Sequence, residues 1–442
     1  MTIKKIIYPG LFILNLGIIL YFWWQGSSAM LFSHTLSGVF ISIGRITGLL
    51  AVYLVLVQLV LIGRVRFLES EYGLDVLSKL HHKNGVYLIF FILAHPIFII
   101  LGYSFGFVSP LAQFIAFLKQ SSDLVLATVS VFLFLFVVVY SILMVKKRWN
   151  YEFWYFTHLS TYAAILFAFG HQTDLGGDFL HSSLFTNYWL LLYVLAIGGL
   201  ILFRFIFPVV GYCKHKCTLT KIVRENDSVV SLYISGRNME NFKMEAGQFL
   251  ILRFLTKGLW WQAHPFSVSE FTDDKQIRVT IKSLGNFTHE IQQLKLGTKV
   301  FLDGPYGVFT ASRAKQKNIL LIAGGIGITP IRPVLENLVK SGKNVVLFYG
   351  VKHEQDLVFK NNLDHLSKFY NFPIYYFVSD SPLWKGNRGR ITKEQIVKLV
   401  PDAASREIYM CAPNRMLEFL ESTFLDMGIS RKNIHFEKFS LS

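Results

Sequence analysis

Cysteines and charged residues are both scarce in this chain of 442 residues. The three cysteines, Cys213, Cys217 and Cys411, give no even set for a disulfide framework, and the first two lack the two-residue spacer of common zinc and redox motifs. A reducing compartment is therefore expected for the half of the chain that carries them. Charged residues make up 16% of the sequence against 52% hydrophobic residues, a balance that fits a membrane protein with a soluble part.

Two further absences narrow the function. No calcium-binding loop of the EF-hand type occurs, so calcium control is not implied. Acidic residues are scarcer than basic ones, 28 against 44, which gives a net charge of +16. Such an excess can indicate nucleic-acid binding. Here the basic residues lie beside apolar segments, so we expect a lipid bilayer and no nucleic acid as the partner.

Six apolar segments in the first half are long enough to cross a bilayer. We predict spans at 6–24, 37–62, 82–102, 124–145, 154–171 and 186–207. The connections alternate in charge, since one set is rich in Lys and Arg and the other contains Lys119 as its one strong base. The positive-inside rule then predicts a multi-pass protein of the cell (inner) membrane with both termini in the cytoplasm. No clear cleavage site follows the first segment, so we expect a retained span.

Two of these spans each carry a pair of histidines about four helical turns apart. His81 and His95 are 14 residues apart, a spacing that rises roughly 21 Å along a helix and returns to nearly the same face. His158 and His171 are 13 apart and need a local bulge or rotation to share a face. Ionisable groups inside a bilayer are costly and usually functional, and two facing pairs suit two stacked haem irons. Hydrogen bonding between helices is the alternative role.

Two positions near these histidines stay open at this point. His82 lies 13 residues before His95 and is the alternative to His81, whose face matches that of His95 better. Arg45 lies in the outer half of the second span, where a buried guanidinium needs an anion such as a propionate of the outer haem. The alternative is an arginine at a helix end that extends to the interface.

After Pro208 the sequence pattern changes. From about residue 217, short β-rich runs alternate with turn residues, which predicts an antiparallel barrel or sandwich. From about residue 318, apolar strands alternate with helical stretches, which predicts an α/β nucleotide-binding domain with a parallel sheet.

The segment AGGIGITP follows a strand and precedes a helix in this second pattern. Gly324, Gly325 and Gly327 let the backbone approach a phosphate, and the start of the helix offers free N–H groups. Thr329 adds a hydroxyl, and Pro330 suits the first turn of the helix. A tight turn without a ligand is the alternative, because the pattern differs from the common G-x-G-x-x-G.

Two weaker motifs precede this segment. In HPFSVS, Phe266 and Ser267 lie on opposite sides of a strand, so that a planar ring and a hydroxyl contact are both available. In IKSLGNFT, Lys282, Gly285 and Thr288 suit a diphosphate. Each motif alone is equally explained as a structural strand or turn.

In their order, these motifs resemble the ferric reductase and NADPH oxidase superfamily, from about Ser37 to Phe439. The resemblance implies a multidomain protein in which a six-helix transmembrane α-bundle with two b-type haems occupies residues 1–210. It further implies an antiparallel β-barrel domain that binds FAD at 211–313 and an α/β domain with a parallel sheet that binds NAD(P)H at 314–442.

The resemblance also implies roles for individual residues. The expected iron ligands are His81, His95, His158 and His171. The expected FAD contacts are His264, Pro265, Phe266, Ser267, Lys282, Gly285 and Thr288, with the GPYG segment at 304–307 closing the barrel. The expected NAD(P)H contacts are Gly324, Gly325, Gly327, Thr329, Pro330, Tyr349, Cys411 and Pro413.

Arg45, Cys411 and Phe439 are the expected catalytic residues. The CAP segment at 411–413 resembles a Cys-Gly-Pro motif beside the nicotinamide, with Ala412 in place of the usual glycine. The FEKF segment resembles the C-terminal motif of the family and implies that Phe439 stacks on the flavin ring and moves aside for the nicotinamide. Arg45 matches an arginine near the outer haem.

The predicted activity is export of electrons from cytoplasmic NAD(P)H through FAD and the haems to an outer acceptor. Oxygen, giving superoxide, is favoured over a ferric chelate because the outer loops lack an acidic or cysteine cluster. The resemblance favours NADPH over NADH, and Lys352 or His353 would meet its 2′-phosphate. A transporter with a nucleotide-sensing domain and a membrane-tethered flavin reductase are the alternatives, and both predict purified protein without haem absorbance.

Overall fold

The computed structural model describes residues 3–147, 151–180, 182–272 and 276–438. The chain divides into two compact units. The first contains Met1–Val65 and Val76–Arg204, and the second contains Arg66–Asp75 and Phe205–Ser442. The second unit thus includes a short segment that lies, in sequence, between two predicted spans.

The first half of the chain is helical. Its helices are α1 (Lys4–Leu31), α2 (Leu36–Ile62), α3 (Arg66–Tyr72), α4 (Leu74–Ser104), α5 (Pro110–Gln120), α6 (Ser122–Lys147), α7 (Tyr151–Phe167), α8 (Gly170–Leu175), α9 (Gly177–Leu180), α10 (Ser183–Ile201) and α11 (Phe207–His215). A π-helical turn, Leu202–Ile206, joins the last two.

Five helices in the described part of the chain are long and apolar enough to cross a membrane: α1, α2, α4, α6 and the run from α10 to α11. The remaining predicted span, 154–171, corresponds to α7, which has 17 residues, and to α8 beyond a break at Ala168 and Phe169. The count of six spans therefore stays a prediction. Helix α4 begins eight residues before the predicted span at 82. The hydropathy pattern did not include these first turns because they carry polar residues.

Glycines allow α2 to pack tightly against α4. A Cβ atom at Gly44 would lie 2.7 Å from Ile99, and one at Gly102 would lie 2.6 Å from Ile41. The hydroxyl of Ser37 donates to the carbonyl oxygen of Gly102 at 2.6 Å. Small residues of this kind drive helix association in lipid, where no hydrophobic effect holds the helices together.

An antiparallel sheet opens the second half of the chain. Its strands are β1 (Thr218–Asn226), β2 (Val229–Ser235), β3 (Phe249–Phe254), β4 (His264–Phe271), β5 (Ile277–Lys282) and β6 (Val300–Tyr306), with helix α12 (Asn286–Ile291) before the last. The strand order is β1-β2-β5-β4-β3-β6. Hydrogen bonds from Leu219 to Thr298 and from Val300 to Cys217 join the ends of the two edge strands. The predicted antiparallel sheet is confirmed, and the complete barrel stays a prediction.

A parallel sheet with helices follows, as predicted. Its elements are β7 (Asn318–Gly324), α13 (Ile328–Lys340), β8 (Asn344–Val351), α14 (Lys360–Tyr370), β9 (Ile374–Val378), β10 (Asn387–Arg388), α15 (Lys393–Leu399), β11 (Glu407–Cys411), α16 (Asn414–Asp426) and β12 (Ile434–Glu437). The order β10-β9-β8-β7-β11-β12 reverses direction between β7 and β11. Ligands of such sheets bind at the carboxyl ends of the strands where the order reverses, which is where the segments after Gly324 and Cys411 lie.

Candidate functional site

The structure brings the four predicted iron ligands together as two pairs. The ring of His81 on α4 lies 6.2 Å, centroid to centroid, from that of His158 on α7. The ring of His95 on α4 lies 6.1 Å from that of His171 on α8. His82, the alternative to His81, is exposed. The pairs thus lie at two levels of the same helix, as their spacing in the sequence indicates.

The break between α7 and α8 brings His171 into the second pair. The chain leaves the helix at Ala168 and Phe169 and resumes it at Gly170, one residue before the histidine. This interruption supplies the rotation that a spacing of 13 residues requires. Of the bulge and the rotation that the sequence left open, the structure has the rotation, at a break between two helices.

The geometry of both pairs fits a haem between the two rings. Two metal–imidazole bonds of roughly 2 Å each, with the radii of the rings added, separate the ring centres by roughly 6 Å. The Nδ1 atoms of His81, His158 and His171 are buried and have no hydrogen-bond partner among the described residues. Leaving a buried polar atom unsatisfied costs about 1–3 kcal/mol, so these imidazoles are poor structural residues and good candidates for ligands.

His95 is oriented by helix α2. Its Nδ1 lies 2.8 Å from the carbonyl oxygen of Gly44, and a proton on Nδ1 leaves Nε2 available as a ligand. A Cβ atom at Gly48 would lie 2.6 Å from the same Nδ1. Gly44 and Gly48 form a G-x-x-x-G motif, so the close approach of the two helices positions this ring.

Arg45 has a protein partner in this structure. Its Nη1 lies 3.7 Å from Oδ1 of Asp178, a buried residue of α9. The same oxygen accepts a hydrogen bond from the hydroxyl of Ser27 at 3.0 Å. The sequence suggested a haem propionate or the interface as the environment of Arg45, and the carboxylate of Asp178 was not foreseen. Contact with a propionate stays a prediction.

A second arginine lies near the other histidine pair. Arg204, in the π-helical turn, donates from Nη1 to the carbonyl oxygen of Ile62 at 3.0 Å. It is close enough to His81 and His158 to act on both electrostatically. Each pair of histidines therefore has a basic residue nearby, although only Arg45 was singled out from the sequence.

The HPFS motif forms the start of β4. The ring of His264 stacks on that of Phe287 with centroids 3.8 Å apart, and burial lowers the pKa of His264, which favours the neutral imidazole. Phe266 packs against the core of the sheet, and Ser267 is buried. Pro265 is paired with Ile251 of the neighbouring strand. The motif is thus ordered by packing, and its predicted contacts with FAD stay predictions.

The predicted diphosphate segment lies at the start of α12. The hydroxyl oxygen of Thr288 accepts hydrogen bonds from the N–H groups of Leu284 and Gly285 at 2.8 and 2.9 Å. A Cβ atom at Gly285 would meet nothing within 4 Å, so the backbone is open to a ligand there. Lys282 lies 3.9 Å from Asp356, which partly satisfies its charge.

The glycine-rich segment lies at the reversal point of the parallel sheet. A Cβ atom at Gly324 would lie 2.6 Å from that of Ala412, and one at Gly327 would overlap the carbonyl oxygen of Cys411. Gly325 has a φ of +55° and open space around it. The glycines therefore let the turn after β7 pack directly on the segment after β11, which brings the two predicted NAD(P)H motifs together.

Three other predicted NAD(P)H residues lie deeper than expected. Thr329 is 2% exposed, and its hydroxyl donates to the carbonyl oxygen of Ile326. Pro330 is buried in the first turn of α13. Tyr349 is fully buried in β8, with its hydroxyl 3.3 Å from the carbonyl oxygen of Asp356. These side chains support the turn from within the core, while Pro413 is exposed and immediately precedes α16.

Cys411 is the last residue of β11 and is fully buried. Burial, and then the charge of Glu437, raises the pKa of its thiol well above its usual range, so the thiol is neutral. Glu437 pairs with it in register on β12. Burial, reinforced by Asp75 and Glu69, raises the pKa of Glu437 to about 8. Phe439, two residues further on, lies outside the described residues.

The segment 66–75 packs on the antiparallel sheet. The N–H of Gly307 donates to Oε1 of Glu69 at 2.7 Å, and Arg313 donates to the carbonyl oxygen of Ser70. Leu74 packs against the cluster formed by Phe249, Ile251 and Tyr306. Burial raises the pKa of Glu69 to about 7. The GPYG segment therefore contacts a segment from between two spans, which no sequence motif indicated.

Comparison with known families covers most of the chain. Residues 47–169 match the ferric reductase like transmembrane component, residues 214–310 match an FAD-binding domain, and residues 321–422 match an oxidoreductase NAD-binding domain. The chain has the domain architecture of the ferric reductase and NADPH oxidase superfamily. The order of these domains shows an NAD(P)H-dependent oxidoreductase that transfers electrons across a membrane.

The proteins to which this chain is similar include reductase components. The chain is 28% identical to sulfhydrogenase 2 subunit gamma of Pyrococcus furiosus, over 46% of this chain and 74% of that protein. It is 25% identical to the ferredoxin–NAD(P)(+) reductase component of the naphthalene 1,2-dioxygenase system of Pseudomonas putida, over 45% and 61%. A solved ferredoxin reductase in carbazole 1,9a-dioxygenase is 22% identical over 51% and 68%, with a TM-score of 0.46.

The match to the ferric reductase like component contains three of the four paired histidines and ends two residues before His171. Arg45 precedes it, and Asp178 follows it. The contacts described above that the sequence did not indicate are those of Gly48, Glu69, Asp178 and Arg204. Of these, Gly48 carried a usable signal, since it ends a G-x-x-x-G motif in an apolar segment.

Proposed function

We propose that this chain carries electrons singly from NAD(P)H to oxygen on the other side of a cell membrane, giving superoxide. In this proposal FAD binds at β4 and α12, NAD(P)H binds at the reversal point of the parallel sheet, and two b-type haems lie between the paired histidines. The nucleotide-binding half and both termini lie in the cytoplasm, as the distribution of basic residues predicts.

The histidine pairs are the observation that carries this proposal. Ring separations of 6.2 and 6.1 Å occur at both levels of α4, and three of the four Nδ1 atoms have no hydrogen-bond partner within the described ranges. Two histidines of one helix facing two of a neighbouring segment provide four ligands for two irons. Hydrogen bonding between helices, the alternative role, would leave fewer nitrogens unsatisfied.

Three parts of the chain serve the proposed reaction: the nucleotide site, the flavin site and the histidine pairs. The turn at Gly324 and Gly327 seats the nicotinamide nucleotide against Cys411, whose neutral thiol adds no charge to the site. FAD, when bound, accepts a hydride and releases electrons one at a time, and haem iron passes on single electrons. The four histidines would hold the two irons, and two imidazoles at each iron would leave no coordination position for a substrate. The acceptor must therefore take its electron at the edge of the site.

Each NAD(P)H that is oxidised reduces two molecules of the acceptor. One NAD(P)H supplies a hydride, which is two electrons and one proton. Two oxygen molecules each take one electron and become superoxide, while one proton is released and NAD(P)+ leaves. Oxygen is favoured because the outer loops lack an acidic or cysteine cluster of the kind that binds iron. A ferric chelate is the second candidate, since the transmembrane match is named for that activity.

Sealed vesicles test the direction of transfer and the acceptor. Full-length protein is reconstituted so that NADPH in the outer solution reaches the nucleotide domain, and the acceptor is trapped in the lumen. We expect reduction of trapped cytochrome c that superoxide dismutase in the lumen suppresses. Anaerobic vesicles with a trapped ferric chelate measure the second candidate. NADPH oxidation without oxygen or iron would contradict both acceptors.

A further inference from the structure

The end of the bundle near His95 and His171 carries an ion pair between a buried Asp178 and a half-buried Arg45, with close packing on both sides. We refer to Gly26, Ser27, Arg45, Gly177 and Asp178 as the Arg45–Asp178 cap. A Cβ atom at Gly26 would lie 2.5 Å from Oδ1 of Asp178, and one at Gly177 would overlap the guanidinium of Arg45. Both backbones thus approach the charged groups as closely as glycine permits.

Two short stretches of the chain connect the Arg45–Asp178 cap to the second histidine pair. Arg45 directly follows Gly44, whose carbonyl oxygen orients His95. Asp178 lies seven residues after His171, on the helix that follows it. A charge on either side chain of the cap therefore acts on electron transfer at this end of the bundle, since charges in a low-dielectric environment are weakly screened.

The pair is close to electrically neutral and is held in place by a third residue. Asp178 is 6% exposed and accepts the hydroxyl of Ser27, which fixes its carboxylate beside Arg45. At 3.7 Å the two charges offset one another, and Nη1 of Arg45 makes no hydrogen bond among the described residues. Loss of the Asp178 carboxylate would make this end more positive by one charge.

We propose that Asp178 determines which acceptors take electrons here, by cancelling the charge of Arg45 and so denying anionic acceptors an attractive site. The proposal rests on the proposed function and deepens it. The charge of the cap does not affect the approach of an uncharged molecule such as oxygen. An anionic ferric chelate is not attracted either, because Asp178 offsets the positive charge of Arg45. Asp178 acts through Arg45 and is a positioning and specificity-determining residue.

Substitution of Asp178 by Asn tests this directly. Asn has nearly the same shape and still accepts the Ser27 hydroxyl, so the main change is the loss of one negative charge. The matched control is Asp174→Asn, since Asp174 is four residues earlier, exposed, and bonded to the hydroxyl of Thr173. Vesicles contain trapped ferricyanide or trapped hexaammineruthenium(III), which each accept one electron and carry charges of opposite sign.

We expect the rate with ferricyanide to rise about fivefold in D178N at low salt, and the rate with hexaammineruthenium(III) to fall by about the same factor. In about 1 M salt, where the Debye length is roughly 3 Å, most of this difference should disappear. An equilibrium redox titration provides a readout independent of turnover. The reduction potential of the haem at His95 and His171 should rise in D178N, because removing a negative charge favours the reduced form, and should stay unchanged in D174N.

Arg45→Gln provides a second variant should D178N fail to fold, and it should shift the two rates in the opposite direction. The double variant should return the ratio of the rates close to that of wild type. The role proposed for Asp178 would be wrong if D178N transferred electrons with the wild-type ratio of the two rates, or if D174N changed that ratio equally. Neither result would affect the proposed function. Wild-type vesicles that reduce neither trapped acceptor would overturn the proposed function and this inference with it.

Discussion

A methyl group at Gly48 should remove one haem and leave the other in place. The Cβ atom of Gly48→Ala would lie 2.6, 2.8 and 3.2 Å from Nδ1, Cε1 and Cγ of His95. Ordinary contact begins at 3.4 Å, so the ring must move by about 0.8 Å from the new atom. Such a shift breaks the 2.8 Å contact between Nδ1 and the carbonyl oxygen of Gly44 that orients the ring.

The size of the effect follows from the role of that contact. Loss of a partner that orients a metal ligand typically weakens metal binding by about 10–100-fold. The pair formed by His81 and His158 lies more than three helical turns away and has no contact with Gly48. We therefore expect the purified variant to retain about one haem per chain in place of two, measured as pyridine haemochromogen against protein. The remaining haem should keep its spectrum and its reduction potential.

Gly17→Ala is the control for this variant. Gly17 lies on α1, and a Cβ atom there would meet nothing within 4 Å. Replacing Gly by Ala within a helix favours the helix by about 1 kcal/mol, so both variants gain the same local stability. A Gly48→Ala protein with two haems and unchanged potentials would refute the assignment of His95 as a ligand.

Three further predictions concern the second unit. Burial raises the pKa of Glu69 from its usual 4.5 to about 7, so the folded chain binds a proton more tightly than the unfolded chain and stability falls as pH rises through 7. The difference in the free energy of unfolding between pH 5 and pH 8, monitored by flavin fluorescence, should be about 2–3 kcal/mol smaller in Glu69→Gln than in the wild type. Arg332→Met should cost about 3 kcal/mol in the same assay, because a guanidinium that is 3% exposed bonds to Asn362, Ser269 and Glu270. The exposed Lys340→Met should cost under about 0.5 kcal/mol. Gly327→Ala should raise the KM for NADPH at least tenfold with unchanged flavin and haem content, since its Cβ overlaps the Cys411 carbonyl oxygen, and an unchanged KM would contradict the nucleotide site.

Periodic patterns allowed much of the fold to be predicted. Apolar runs located the helices, the switch from short β-rich runs to alternating strands and helices separated the two sheets, and glycines marked the turn after β7. The ends of α4 were missed because its first turns, from Leu74 to Lys83, are polar yet helical. A hydropathy pattern reports which residues lipid surrounds, and it does not report where the backbone hydrogen bonding of a helix ends.

The parts of the site that escaped prediction are pairings between distant segments. Asp178 meets Arg45 across 133 positions of the chain, and Glu69 meets Gly307 across 238. No local pattern encodes such contacts, because the two partners lie in separate segments that are far apart in the sequence. The histidine pairs could be predicted because His81 and His95 follow a helical spacing and the spacing of His158 and His171 differs from it by one residue. Tyr349 and Thr329 show the limit of such local reasoning. Their places in the sequence predicted contact with NAD(P)H, and both side chains are buried in the core beneath the turn.

The haem content of the purified chain, measured before and after anaerobic addition of NADPH, tests the central proposal most directly. Two b-type haems and one flavin per chain, with both haems reduced by NADPH, are the expected result. Replacement of any one of His81, His95, His158 and His171 by Ala should remove one haem. Flavin without haem, or two haems in all four variants, would contradict the proposal that these imidazoles hold the irons.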